Sequence, residues 1–359
     1  MSRVKEILRK LFSRKYRQRT VSYLIILLAY GIIETAIVTG SISNTIKSLL
    51  IPTCSYIVAA LALNLLVGYL GDLCLGQAGF MAVGAFFGAV AAAFFARYIS
   101  SSALILILAI IVGGALSGIC GALIGIPVLK LQGDYLAIVT LAFCQIIKTL
   151  LLNLYVGIDS KGLHFSFITD NTKMDPDGLL VIKGAIGANV TKKLSSFTAG
   201  VLLILFALFV IHNLINSKHG RAIQACRDNK IAASSVGIPV NQYKLLAFVV
   251  SAVLTGMAGT LYGLGFSSFK ASKFDFNLSI LILVYVVLGG LGNMTGTIIS
   301  TTLLLVIPEA LRAFNDYRMI IYSIVLIAVM LISNNATIMF YLKQCKDYCK
   351  KLFPKRRTE

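Results

Sequence analysis

Long apolar segments alternate with short polar ones along almost the whole chain of 359 residues. Runs of about 20 predominantly apolar residues are long enough to cross a bilayer as α-helices. The strict alternation typical of an outer-membrane barrel strand does not appear in them. We therefore predict an all-α polytopic membrane protein with about ten transmembrane helices. The predicted spans are 21–39, 49–68, 80–96, 103–125, 135–155, 197–215, 244–265, 279–293, 296–311 and 319–336.

Composition and charge agree with a membrane protein and indicate its orientation. The chain is 58% hydrophobic and 13% charged, with a mean hydropathy of +0.87. Its net charge of +19 does not indicate nucleic-acid binding, because most lysines and arginines gather at the chain ends and in one loop. By the positive-inside rule, the basic segment 1–20 and the basic tail 337–359 are cytoplasmic. The transmembrane domain then covers 21–336, with 156–196 as a long external segment.

Two glycine-containing stretches interrupt the apolar pattern: GYLGDLCLGQAGF at 68–80 and GGLGNMTG at 289–296. Irregular backbone at membrane depth is tolerated where protein buries it or water reaches it. Each stretch is therefore either a broken or re-entrant helix that lines a cavity, or a plain cytoplasmic turn. A third polar point lies at Gly133 and Asp134, where we expect Asp134 to cap a helix that starts at Tyr135.

Many of the 30 glycines are spaced four residues apart within apolar segments. Small residues at this spacing let helices approach closely in lipid, where no hydrophobic effect drives them together. The spacing predicts a tightly packed bundle. The pairs are Gly84/Gly88, Gly114/Gly118, Gly121/Gly125, Gly259/Gly263 and Gly292/Gly296.

The segment SKHGRAIQACRDNKIAASSVGIPVNQYK, at 217–244, is the most unusual polar stretch. Its alanine content predicts one or two short helices that end near Gly237 and Pro239. A cytoplasmic loop with its own helices, here 216–243, is suited to docking a partner. The chain has no phosphate-binding loop, no metal-site spacing around its histidines and no hydrolase motif, so the sequence does not favour an enzyme.

A few polar side chains fall inside the predicted spans. Asn64, Gln145 and Asn153 either hydrogen-bond between helices, which we favour, or face a cavity. Lys148 is close enough to a span end to reach the interface, as are Glu34, His212 and Glu309. Cysteines in apolar segments are expected to act as small hydrophobic residues, whereas Cys345 and Cys349 in the tail give only weak support for metal binding or palmitoylation. The apolar-segment cysteines are Cys54, Cys74, Cys120 and Cys144.

Four long stretches together resemble one family, the inner-membrane permeases of ABC importers for branched-chain amino acids, in particular the LivM-type subunit. The stretches lie at 64–86, 125–153, 219–263 and 289–312, and the most specific of their motifs is GDYLAIVTL. The resemblance implies an ABC importer permease fold with broken helices, in a bacterial cytoplasmic (inner) membrane. It also implies partners: a second, LivH-like permease, two LivG/LivF-like ATPases and an extracytoplasmic substrate-binding protein. ATP and magnesium would be used by the ATPases and not bound by this chain.

The resemblance assigns one set of residues, and the broken backbone suggests a second. The first set belongs to a cytoplasmic loop that couples the permease to the ATPase: Arg221, Ala222, Arg227, Lys230, Ala232, Ala233 and Gly237. The second set, which we place along the amino-acid path on its broken backbone and small residues, is Asn64, Gly71, Asp72, Gly76, Gln77, Gly79, Gly133, Asp134, Tyr135 and Thr140.

The chain departs from the family at three places. Lys230 replaces a common acidic residue, a T-G-G element after the fifth span is kept only in part, and Asn334 and Asn335 replace a proline-glutamine turn. Related permeases for urea, short amides or another small solute therefore remain alternatives. An ion-coupled secondary transporter is a further alternative, but such a transporter would need a carboxylate near the centre of the membrane.

Overall fold

A computed structural model describes most of the chain. The described residues are 17–39, 44–129, 131, 133–159, 162–167, 179–190, 193–310, and the single positions 320, 323, 324 and 327. The chain divides into two compact units, 1–301 and 302–359, and the features discussed below lie in the first. Most of the predicted tenth span, the tail, Cys345 and Cys349, and residues 1–16 lie outside the described residues.

The described part of the chain is mostly α-helical. Its helices are α1 (Arg17–Val38), α2 (Asn44–Asn64), α3 (Gln77–Phe95), α4 (Ser102–Val128), α5 (Asp134–Leu152), α6 (Phe197–Asn216), α7 (Lys218–Asp228), α8 (Lys230–Ser235), α9 (Val240–Gly265), α10 (Phe276–Gly289) and α11 (Met294–Ala310). Nine of the ten predicted spans coincide with one of them. Six helices, α2 to α6 and α9, are long and apolar enough to cross a membrane, while α1, α10 and α11 contain shorter apolar segments. The count of ten is not confirmed.

The predicted external segment, 156–196, is where the structure departs from the all-α prediction. It contributes four of five short strands, and the chain after α9 supplies the fifth. These are β1 (Tyr155–Asp159), β2 (Gly162–Ser166), β3 (Leu179–Lys183), β4 (Ala188–Asn189) and β5 (Ser268–Phe269). They pair antiparallel in the order β2-β1-β3-β4-β5. Four consecutive residues of β1, from Val156 to Asp159, are buried, so this strand is covered on both faces.

The sheet lies at the C-terminal end of α3. Arg97, just beyond that helix, donates hydrogen bonds to the carbonyl oxygens of Asp159 at 2.6 Å and Ile158 at 3.0 Å. The N-terminal end of α3 lies about 28 Å away, since 19 residues rise 1.5 Å each. This length matches the hydrocarbon core of a bilayer, so the bundle has a sheet end and an opposite end.

Helices α3, α4 and α9 pack through glycines. A Cβ atom added to Gly84 would overlap the backbone of Gly256, and one added to Gly259 would overlap that of Met81. Added to Gly113, it would overlap the hydroxyl of Thr260. The predicted tight packing is therefore present in these three helices. The pair Gly292/Gly296 is an exception, because Gly292 lies between α10 and α11 with a positive φ of 78°.

The two breaks meet at the end of the bundle opposite the sheet. Helix α2 continues into a π-helical turn, Leu65–Leu70, which ends at Gly71 with φ of 79°. The chain is then non-helical until α3 begins at Gln77. The hydroxyl of Tyr69 donates to the carbonyl of Gly292 at 2.7 Å, so the π-helical turn packs against the turn between α10 and α11.

Candidate functional site

The polar segment between α6 and α9 folds into two short helices, as predicted. The Ser217 hydroxyl accepts a hydrogen bond from the Gly220 amide at the start of α7. The Asn229 carboxamide accepts from the amides of Ile231 and Ala232 at the start of α8. Gly237, with φ of 84°, ends α8. Each helix therefore begins at a residue whose side chain satisfies otherwise unpaired amides, which fixes both helices locally.

An acidic residue from the first break joins this segment to α9. The Asp72 carboxylate lies 2.5 Å from Nζ of Lys244 and 3.4 Å from Nζ of Lys230. The Lys244 side chain is 3% exposed and that of Lys230 is 37% exposed. The buried contact therefore carries most of the electrostatic interaction, while solvent screens the outer one. Asp72 thus connects the start of α8 to the start of α9.

Arg227 makes the second connection. Its guanidinium donates to the carbonyl of Gly68 at 2.6 Å, at the end of the π-helical turn, where helix carbonyls lack partners within the helix. Gly71 leaves room for this side chain, since an added Cβ atom would lie 2.9 Å from Cγ of Arg227. Helix α7 is held further by Ile223 and Cys226, both buried. Burial raises the pKa of the Cys226 thiol, which therefore stays protonated at neutral pH.

The outer side of this segment exposes aliphatic side chains. Ile231 is 81% exposed and Val236 is 82% exposed, and Ile231 lines a groove of about 670 Å³ next to α8. Of the other predicted coupling residues, Arg221 and Ala232 are exposed, Ala222 is half-buried and Ala233 is buried against the bundle. The side chains of Ile231 and Val236 lie at the end of the bundle opposite the sheet, outside the predicted spans.

We call the group formed by Gly68, Asp72, Arg227, Lys230 and Lys244 the coupling cluster. Two of its members, Arg227 and Lys230, belong to the predicted coupling loop, and Asp72 belongs to the predicted path. Sequence reasoning missed Lys244, because it was counted as the first residue of an apolar span. A lysine at the edge of that span, in a chain with few acids, was the available signal.

Other predicted path residues lie in the contact between α3 and α5. A Cβ atom on Gly76 would lie 3.0 Å from the carbonyl oxygen of Thr140, and one on Gly79 would lie 3.1 Å from Cα of Cys144. The Thr140 hydroxyl accepts a hydrogen bond from the Leu75 amide at 3.1 Å. These residues therefore bring the two helices together. Their placement along the path stays a prediction.

The predicted path residues Asn64 and Gln77 have buried side-chain amides that form hydrogen bonds between elements of the bundle. The Asn64 amide donates to the Thr297 hydroxyl at 2.8 Å and its carbonyl oxygen accepts from the Gly292 amide. The Gln77 amide donates to the Ser251 hydroxyl at 2.9 Å, and its carbonyl oxygen accepts from the Thr255 hydroxyl at 2.6 Å. Ser251 and Thr255 carried no recognisable signal in the sequence, because hydroxyls on apolar helices are common.

The remaining predicted path residues begin α5. The helix starts at Asp134 itself, and Gly133, with φ of 63°, holds the capping position. The expectation that Asp134 caps a helix starting at Tyr135 was therefore wrong by one residue. Tyr135 is exposed. A Cβ atom added to Gly133 would meet no atom within 4 Å, so this glycine makes no close contact with another predicted path residue.

The long apolar helices are those of a polytopic membrane protein. A family model for the permease component of branched-chain amino acid transport systems matches residues 45–332, and the chain belongs to that family. The family is one of transport permeases, which are membrane components of transport systems and not enzymes. With its apolar helices, the chain is a multi-pass inner-membrane protein.

Individual relatives agree with the family. The chain is 34% identical over 302 residues to the high-affinity branched-chain amino acid transport system permease protein LivM of Escherichia coli K12, and 33% identical over 302 residues to LivM of Salmonella typhimurium. Each alignment covers 78% of this chain but 66% of the relative, slightly less than two thirds of its length. LivH of E. coli K12 is 29% identical over 149 residues, which are 40% of this chain and 48% of LivH. No solved structure matches the chain.

Proposed function

We propose that the chain is the transmembrane permease subunit of an ATP-driven importer for branched-chain amino acids. It pairs with a second, LivH-like permease, and each subunit forms half of the translocation path. Its similarity to LivM over most of the chain, with a weaker similarity to LivH, supports this pairing.

The coupling cluster is the observation that carries the proposal. Arg227 and Lys230, from two short helices outside the spans, bond to the stretch between α2 and α3. A displacement of α7 and α8 therefore acts directly on the end of α2 and on the chain leading into α3. The π-helical turn at this point suits such a role, because π-turns are rare and often lie at functional sites.

The partners follow from the two ends of the bundle. LivG/LivF-like ATPases in the cytosol bind and hydrolyse ATP with magnesium and contact α7 and α8 through Ile231 and Val236. The termini of the chain are then cytoplasmic. The sheet end faces outward, where an extracytoplasmic substrate-binding protein delivers the amino acid. Aliphatic side chains exposed at a water-facing end support a protein partner there, because they lose contact with water on docking.

The test uses the chain co-purified with its companion permease and ATPases and reconstituted with the binding protein in liposomes. ATP-dependent leucine uptake is expected, and uptake without ATPase subunits would contradict the proposal. The double variant Ile231→Ser/Val236→Ser is expected to lose the ATPase during co-purification, because the exposed aliphatic anchors are gone. Its control is Ile186→Ser, which changes an aliphatic residue at the sheet end that is 67% exposed. Equal ATPase retention by both variants would refute the assigned docking surface.

A further inference from the structure

Helix α5 carries polar side chains on an exposed face, although it is long and apolar enough to span a membrane. Thr149 is exposed, and Gln145 and Lys148 are half-buried. The exposed faces of α4 and α6, the spans before and after it in the chain, are different, because their central positions carry only apolar side chains, such as Ile119 and Phe206. The outward face of α5 is therefore unlike a lipid-facing surface.

Gln145 lies two residues beyond the midpoint of α5, which is about 3 Å along the helix axis. A glutamine side chain is too short to reach the interface from this depth, unlike Lys148, which is nearer to the helix end. Within the part of the chain that the structure describes, the Gln145 amide makes no hydrogen bond and Lys148 makes no salt bridge. The Thr149 hydroxyl donates to the Gln145 carbonyl oxygen at 2.9 Å.

An amide near the middle of a span, with no partner among the described residues, is costly in hydrocarbon. This face must therefore meet water or a polar surface. A tightly packed partner helix is disfavoured, because close helix packing in membranes uses small residues, and Ala142 is the one small residue on the central part of this face. A lysine packed there would also need an acidic partner. Water is the occupant that satisfies Gln145 and Lys148 without further groups.

We propose that the exposed face of α5 lines the water-filled path of the transporter and contacts the amino acid. Lys148 and Gln145 bind the substrate carboxylate, and the exposed aliphatic residues Ile138 and Ile146 contact the substrate side chain. This inference rests on the proposed function, and it moves the path away from Gly76, Gln77 and Gly79. An amphipathic face suits a zwitterion with an aliphatic side chain, because one surface then offers both a cation and apolar contact.

The first test measures water access, independently of transport. Gln145→Cys and Thr149→Cys are each made in the assembled transporter and treated in liposomes with a charged methanethiosulfonate reagent. Because the reactive species is the thiolate, which forms in water, both should react about tenfold faster than Leu123→Cys and Leu202→Cys on the apolar faces of α4 and α6. The chain without added cysteine gives the background. Equal rates at all four positions would overturn the proposal, even if leucine uptake is normal.

The second test addresses substrate contact. Leucine should slow the labelling of Gln145→Cys, and water access without this protection would overturn the substrate part of the proposal. Lys148→Met should lower the uptake rate at saturating binding protein about tenfold, the effect of losing a hydrogen bond to a charged group. Lys148→Arg should retain most of the rate, because the cation remains. Equal uptake rates for Lys148→Met and Lys148→Arg would mean that Lys148 lies at the membrane–water interface and does not bind the substrate. Failure of the unchanged complex to import leucine would instead refute the proposed function, whereas the labelling rates would still report on the α5 face.

Discussion

The substitution Asp72→Asn tests the coupling cluster most directly. It keeps the size of the side chain but removes the negative charge from the contact with Lys244, whose side chain is 3% exposed. Breaking a buried ion pair by neutralising one partner costs about 3–5 kcal/mol, since the other charge is left uncompensated. The outer contact to Lys230 adds little, about 0–1 kcal/mol, because that side chain is 37% exposed. We therefore expect a loss of about 3–5 kcal/mol in the free energy of unfolding.

The chain contains no tryptophan, so unfolding of the purified protein in detergent is best followed by circular dichroism. The double variant Asp72→Asn/Lys244→Met should recover most of the lost stability, because it removes both buried charges. In the reconstituted importer, Asp72→Asn should retain ATP hydrolysis but lose leucine uptake, because α8 is no longer tied to the chain leading into α3.

Asp228→Asn is the matched control, since it removes the same charge from an exposed position at the end of α7. It should change stability by less than about 0.5 kcal/mol, as is usual for surface substitutions. The reasoning fails if Asp72→Asn and Asp228→Asn have the same free energy of unfolding. It also fails if the double variant loses as much as Asp72→Asn and Lys244→Met together, because the two side chains would then act independently.

Two further predictions concern packing and thiol chemistry. Gly84→Ala should destabilise the protein by more than about 2 kcal/mol, because the new methyl group would overlap the backbone of Gly256. The control Gly31→Ala, where an added Cβ atom has no atom within 4 Å, should be neutral or slightly stabilising. Thermal melting curves of the two variants test this, and equal curves would contradict the close packing. Burial raises the pKa of Cys74 to about 11 and also raises the pKa of Cys226. At pH 7 neither thiol should therefore react with maleimide until the protein is unfolded. Detection of either labelled cysteine in the folded protein by mass spectrometry would refute this prediction.

The helices could be predicted well from the sequence because their apolar runs are long. The predicted span 197–215 and the observed helix Phe197–Asn216 differ by one residue. The sheet could not be predicted from the same signal. Its strands have two to five residues, and part of their pairing joins Ala188 to Phe269 across the whole of α6 to α9. Short strands with distant partners leave almost no local pattern.

The coupling cluster shows the same limit for a site. The sequence places Arg227 and Lys230 in the predicted coupling loop. It places Asp72 in the predicted path, because that residue lies in a break of the apolar pattern. Arg227 lies 159 positions from Gly68, and Lys230 lies 158 positions from Asp72. Without the fold, nothing in the sequence joins positions so far apart. The resemblance and the broken apolar pattern identified Arg227, Lys230 and Asp72, and only the three-dimensional structure shows which of them bond.

The glycine contacts among α3, α4 and α9 restrict how this permease can be recombined with its relatives. Each helix fits its neighbours backbone to backbone, so a segment taken from another permease brings side chains into spaces that hold none here. Chimeric permeases that exchange these three helices as a set preserve the fit, whereas exchange of one helix alone destroys it.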